Sequence, residues 1–184
     1  MRGKMHEKRF EGDITRLRNP ERIARLEMER VVTLCLEGAQ INCVLDIGTG
    51  SGLFAEVFSK RGLTVSGVDV NPDMLPAARA YIPTADFRES TAEALPFADA
   101  TFDLIFMGLV LHESDEQLQV LSEARRVARI RVCILEWAYR EEDFGAPLAY
   151  RLAPGILKDL AMETGFSVCE VIPLEKLVFY RMTV

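Results

Sequence analysis

Two carboxylates, Asp46 and Asp69, bracket three glycines at alternate positions, Gly48, Gly50 and Gly52. The first acid lies inside an apolar run, Val44-Leu45-Asp46-Ile47, that breaks directly into Gly48-Thr49-Gly50-Ser51-Gly52. A buried strand that ends this way delivers bare backbone to a ligand, because glycine takes positive φ at no steric cost and presents no Cβ. An acid two residues before the first glycine repels a diphosphate and attracts an ammonium or a sulfonium. The second acid closes a strand-like run, Leu63 to Val68, and falls 21 residues after Gly48. In that place a carboxylate accepts both hydroxyls of a ribose.

The elements that must position these groups follow from the local signals. A helix from about Gly52 to Arg61 points its N-terminus at the turn, and Gly62 suits the position that ends it. Asn71-Pro72-Asp73 combines a capping side chain, a first-turn proline and a first-turn acid, so a second helix starts directly after Asp69. The dinucleotide fingerprint G-x-G-x-x-G fails because Leu53 stands where its third glycine belongs. No Gly-Lys-Ser or Gly-Lys-Thr follows, so the phosphate-loop signature fails too.

The chain resembles the class I S-adenosylmethionine-dependent methyltransferases. The resemblance rests on Val44 to Phe54, on Gly67-Val68-Asp69-Val70-Asn71 with Met74-Leu75, on Thr91 to Phe97 with Phe102-Asp103-Leu104-Ile105, and on Leu109 to His112. These pieces cover roughly residues 40 to 130 in order, which no lone glycine motif does. The opening, Phe10 with Arg16-Leu17-Arg18-Asn19-Pro20-Glu21-Arg22, is similar to the branch that includes ubiquinone and menaquinone biosynthesis methyltransferases.

Length and composition narrow the classes. A chain of 184 residues fits one domain, 1–184, with a helical lead-in at 1–38, a cofactor-binding half at 39–136 and an acceptor-side remainder at 137–184. The longest uncharged apolar run, Leu104 to Leu111, is too short to span a bilayer. Met1 to Phe10 is polar and basic, without the apolar centre of a signal peptide, so a cytoplasmic location is expected. A net charge of −6 disfavours a nucleic-acid partner. Arg125, Arg126, Arg129 and Arg131 read as the solvated side of a helix running into a strand. Cys35, Cys43, Cys133 and Cys169 read as single buried thiols in a reducing compartment. His112-Glu113 has no second histidine four residues on, so no metal site is expected.

Alternating strands and helices imply an α/β, doubly wound, Rossmann-like and mostly parallel sheet with helices on both faces. Strands are expected near 43–47, 63–68, 85–88 and 103–107, with a fifth from about Arg131 to Glu136. An N-terminal helical segment, about Pro20 to Leu36, precedes them. Ser114 and Gln117 fit a capping box for a helix to about Ala128. Residues 137–152 read as a loop or short helices over the site, followed by a helix from Pro154 to Glu163. Phe166 to Ile172 and Lys176 to Thr183 then read as a closing antiparallel pair. The resemblance implies seven strands in the order 3-2-1-4-5-7-6, with strand 7 antiparallel.

Carried over position by position, the resemblance also implies roles. Asp46 lies near the methionine ammonium, with Gly48, Thr49, Gly50 and Gly52 along the turn and Gly108 at the end of the fourth strand. Asp69 takes the ribose hydroxyls, Val70 packs on the adenine, and Ala92 offers it a backbone N–H. Many relatives have an acid at the position of Thr91, so Glu93 or a water would substitute in contacting the adenine amino group. Trp137 and Tyr139 are candidates for lining the acceptor pocket, and Phe97, Phe102 and Phe106 for the core. The expected activity is in-line methyl transfer to a small-molecule acceptor, with no membrane span. His112 is the candidate general base, because imidazole titrates near neutrality, with Glu113 or Asp115 to orient it. A non-catalytic cofactor-binding module and an NAD-linked enzyme with a variant turn are the competing readings.

Overall fold

Seven strands carry the structure, a computed structural model that describes residues 14–184. They are β1 Cys43–Ile47, β2 Thr64–Asp69, β3 Asp86–Glu89, β4 Phe102–Gly108, β5 Ala128–Trp137, β6 Val168–Pro173 and β7 Leu177–Thr183. Their order is β3-β2-β1-β4-β5-β7-β6, with β7 antiparallel to both of its neighbours and all other pairs parallel. Topology and handedness of pairing are thus as the sequence implied. The lead-in residue Phe10, and the polar stretch that it closes, lie outside the described residues.

Helices α1 Ile14–Leu17, α2 Pro20–Arg25, α3 Met28–Leu36, α4 Leu53–Lys60, α5 Leu75–Tyr81, α6 Gln117–Val127 and α7 Ile156–Glu163 surround the sheet. No helix among the described residues is long and apolar enough to cross a membrane. Side chains alternate across the strands, so each face of the sheet builds its own core. Val44, Leu104, Phe106, Cys133, Leu135 and Phe179 pack with α3, α4 and α5 on one face. On the other, Leu45, Ile47, Ile105, Met107, Ile134 and Met182 pack with α6 and α7. Phe102 and Phe106 are buried and Phe97 packs half-buried against the second core, as expected of core aromatics.

Local chemistry corrects the sequence reading in four places. The helical segment expected over Pro20 to Leu36 forms as two helices, because Glu27 takes a left-handed conformation at φ 45°. Its carboxylate compensates by accepting from Arg30 Nη1 at 2.8 Å and from the Glu175 N–H at 2.9 Å. Ser114 does not cap α6; its hydroxyl donates to Glu93 Oε1 at 2.7 Å and accepts from the Glu116 N–H at 3.0 Å, outside the helix. Arg131 is buried rather than solvated, donating to the carbonyls of Cys35 and Glu37 at 3.1 and 2.8 Å, where the end of α3 leaves acceptors open. Cys43 and Cys169 are only half-buried, although all four cysteines are free thiols.

Gly52, which opens α4, sits at φ 76°, and a Cβ there would lie 3.1 Å from both Cα and Cβ of Ala78 in α5. Gly52→Ala therefore adds a left-handed strain of about 1–2 kcal/mol to a crowding cost of about 1–3 kcal/mol. We expect a lower urea midpoint with an unchanged slope in equilibrium unfolding. An unshifted midpoint would show that α5 yields freely.

Candidate active site

Between β1 and β4 the strand order reverses, and beyond their carboxyl ends an open α/β sheet leaves a crevice. The crevice is a cleft of about 430 Å³, lined from the glycine turn by Gly48 and Gly50, from the end of β2 by Asp69 and Val70, from the segment after β3 by Thr91, Ala92 and Glu93, and from the end of β4 by Gly108, Leu109 and Val110. Leu17 and Arg22 close it from the N-terminal helices. A second cavity of about 50 Å³ shares Leu17, Arg22, Gly48, Gly50 and Gly108 with it and reaches inward to Asp46, Thr49 and Ser51. Seven of the ten residues expected to hold the cofactor thus line the main cleft, namely Gly48, Gly50, Asp69, Val70, Thr91, Ala92 and Gly108; Asp46 and Thr49 line the inner cavity instead. Gly52 lines neither, facing α5 as described above.

Bare backbone is a packing requirement at Gly48, whose added Cβ would lie 2.3 Å from Val110 Cγ2. Asp69 fixes the turn: its Oδ2 accepts from the Gly50 N–H at 2.7 Å and its Oδ1 from the Asn71 N–H at 2.9 Å. Each oxygen keeps a lone pair for a further donor from the cleft. Burial raises the Asp69 carboxyl above its ordinary range against the pull of its backbone donors. Asp46 is more extreme. Burial pushes it up to about 7, with the Asp69 charge adding to the rise and the Thr49 hydroxyl, 2.8 Å away, opposing it.

His112 lies outside both cavities, buried behind the wall formed by Val110 and Glu113. The acid that orients it is Glu136, on β5: Nδ1 lies 2.7 Å from Glu136 Oε2, and the His112 N–H donates to Oε1 at 3.2 Å. Burial lowers the imidazole pKa, but the Glu136 carboxylate outweighs it and the net shift is upward. Glu136 was missed from sequence, although an acid inside the apolar run Cys133-Ile134-Leu135-Glu136-Trp137 was its signal. Trp137 and Tyr139 do not line the cleft. The Trp137 ring packs on Phe144 at 5.8 Å and Tyr139 is exposed, so the 137–152 segment folds onto the end of β5.

Residues 45–132 match a family model described as a methyltransferase domain. A demethylmenaquinone methyltransferase of Chlorobaculum parvum is 34% identical over 99 residues, 53% of this chain and 41% of that protein. A ubiquinone biosynthesis O-methyltransferase of Cereibacter sphaeroides is 31% identical over 110 residues, 58% of this chain and 43% of that protein. The matches thus span less than half the length of these two curated relatives. The crystal structure of a SAM-dependent methyltransferase from Aquifex aeolicus superposes with a TM-score of 0.82 at 25% identity, covering 93% of this chain and 96% of that one. Fold and matched core together support a class I S-adenosylmethionine-dependent methyltransferase.

The residues present fit S-adenosylmethionine. The carboxylates of Asp69 and Asp46 line the two cavities, as partners for its hydroxyl and cationic groups would have to, and the Ser51 hydroxyl is buried beside the inner cavity with no partner among the described residues. Because Asp46 ionises late, the sign of a pH effect is fixed. The folded chain binds more protons than the unfolded one between the ordinary carboxylate range and about 7, so this group's contribution to stability falls as pH rises across that window. An ammonium bound at Asp46 favours the ionised form. Affinity for S-adenosylhomocysteine should therefore rise between pH 6 and pH 8 in calorimetry, and Asp46→Asn should flatten the rise. A parallel rise in the variant would remove Asp46 from ammonium binding.

Proposed function

We propose that the chain transfers a methyl group from S-adenosylmethionine to a small-molecule acceptor by in-line displacement, acting as a single domain. The observation that carries this reading is the cleft at the strand reversal, where Asp69, Val70 and Ala92 meet the glycine turn. The sulfonium supplies an already electrophilic methyl group, so the chain's task is chiefly alignment and exclusion of water. Asp69 holds the ribose hydroxyls, Val70 packs on the adenine and Ala92 offers its N–H to that ring. Glu93 also lines the cleft, already held by the Ser114 hydroxyl, and it supplies the acid that Thr91 does not. Leu109 and Val110 form an apolar wall on the β4 side. The names of the two quinone-pathway relatives support a small organic acceptor.

For an acceptor that must lose a proton, we keep His112 as the base, acting at Nε2 because Glu136 holds the proton on Nδ1 in the neutral tautomer; since His112 lines neither cavity, such an acceptor has to extend past Glu113 to meet it. Its raised pKa means that turnover of such an acceptor climbs with pH over a window above the ordinary imidazole value.

Labelled methyl donor incubated with the full chain and a metabolite extract should yield a labelled small molecule. Tight cofactor binding without transfer would leave a binding module. Asp69→Ala should weaken S-adenosylhomocysteine binding about tenfold to a hundredfold, as for lost hydrogen bonds to a charged group. Equal affinity in the variant would move the ribose elsewhere.

Once an acceptor is in hand, His112→Ala should lower kcat/KM by about 10²–10⁴ without changing cofactor affinity. Glu136→Gln should move the rising limb of the pH profile to lower pH. Normal turnover in His112→Ala would reduce the pair to a strut.

A further inference from the structure

Two of the four cysteines are not single thiols. Cys35, near the end of α3, and Cys133, in the middle of β5, are both fully buried in the same core. Their side chains lie in hydrogen-bond contact. Burial first and this contact second push the Cys35 thiol well above its ordinary range, against the pull of Arg131 and Arg181. In the closed fold the thiol is therefore protonated and inert.

The last turn of α3 is docked directly over Cys133. Arg131, two residues before Cys133 and on the same face of β5, donates to the carbonyls of Cys35 and Glu37 at 3.1 and 2.8 Å. Arg181 stands opposite Cys133 in the pairing of β5 with β7, and donates to the Leu34 carbonyl at 3.1 Å and to Glu37 Oε2 at 3.3 Å. Two guanidinium groups on the sheet thus hold the helix end down, and the same two groups flank the strand thiol.

Helix α3 is also a separable unit. It is nine residues long and is bounded by left-handed backbone at Glu27, φ 45°, and at Gly38, φ 71°. Short elements between such turns open locally at a fraction of the cost of global unfolding. When α3 lifts, Cys35 leaves with the helix, whereas Cys133 stays fixed in a strand that is paired on both sides.

We propose that Cys35 and Cys133 form a dithiol redox site, in which a small-molecule disulfide oxidises the pair and staples α3 to β5. The Cys35 thiolate, exposed as α3 lifts, attacks the small disulfide, forming a mixed disulfide and releasing one thiol. Once the helix reseats, the Cys133 sulfur attacks Cys35 Sγ, closing the protein disulfide and releasing the second thiol. The two cysteine protons end on the two released thiols, and the two electrons lost by the protein reduce the small disulfide. The remaining cysteines have other neighbours: Cys43 Sγ lies 3.8 Å from the Thr101 carbonyl, and the charges acting on Cys169 are Lys158 and Glu170.

The full chain in native buffer, treated with oxidised glutathione, tests this. Peptide mapping after alkylation should find Cys35 joined to Cys133, with Cys43 and Cys169 alkylated and the chain lighter by two hydrogens. Closing so long a loop should raise Tm by about 5–15 °C, and dithiothreitol should reverse both changes. Cys133→Ala should stop at a glutathione adduct on Cys35, whereas Cys35→Ala should leave Cys133 unmodified. Hydrogen exchange in the reduced chain should be faster over α3 than over β5, and should slow over α3 after oxidation. The proposal is overturned if Cys35 and Cys133 stay free under native conditions, whether or not Cys43 or Cys169 takes up glutathione. It is equally overturned if the bond forms only above the urea midpoint, where the fold is lost. Both outcomes are read on the parent chain, so a variant that fails to fold leaves them intact.

Discussion

A single carboxylate holds the two halves of the cleft in register. Asp69 stands at the tip of β2 and accepts one N–H from the glycine turn after β1 and one from the loop after itself. Hydrogen bonds to an ionised acceptor are the strong ones, worth about 1.5–3 kcal/mol each. Surface pairs such as Lys60 with Glu56 or Arg61 with Glu29 contribute about 0–1 kcal/mol and do not fix loop geometry. The Gly48–Gly50 backbone, the packing of Val110 against Gly48 and the seating of Leu17 on Gly50 all presuppose the turn that Asp69 clamps.

Charge is distributed unevenly around that clamp. The cleft is acid-rich, and among the described residues Asp46 at its inner end has the Thr49 hydroxyl and the Ala55 N–H as hydrogen-bond partners and no cationic one. Asp103, at the opposite end of the sheet, receives the N–H groups of Asn42 and Cys43 and the Arg129 guanidinium, and its pKa falls below the ordinary range even though burial works against the charge. Two buried strand aspartates thus behave oppositely: at Asp103 the backbone donors and the Arg129 guanidinium together outweigh burial, whereas at Asp46 burial and the Asp69 charge prevail.

What the sequence disclosed follows from how local each signal is. Glycine spacing, an acid at a strand end and period-two apolar runs are short-range, so the turn, the strand order implied by the resemblance and most of the cleft lining were legible before any coordinates. The break at Glu27 was not, because the apolar spacing of Ile23, Leu26 and Val31 continues through it while the backbone reverses for a tertiary contact with Glu175. The partner of His112 lay 24 residues away on another strand, and local reasoning offered the neighbouring acids instead. Trp137 misled in a similar way: proximity to the end of β5 suggested a pocket wall, but the ring is covered by the backbone of Gly145 and by Phe144. Arg22 carried no sequence signal beyond its place in the lead-in.

Strand β5 pairs along its length with the final strand, and Glu136 sits opposite Val178. Side chains on a strand alternate between faces, so a slip of one residue in that pairing would turn the opposing residues of β7 onto the wrong layer. Phe179 fills one core and Tyr180 the other, which locks the pairing against such a slip. The last seven-residue strand therefore acts as a ruler for the chemistry-bearing end of β5. A single-residue insertion or deletion inside β7 would be felt at the His112–Glu136 contact, because Glu136 is paired with Val178.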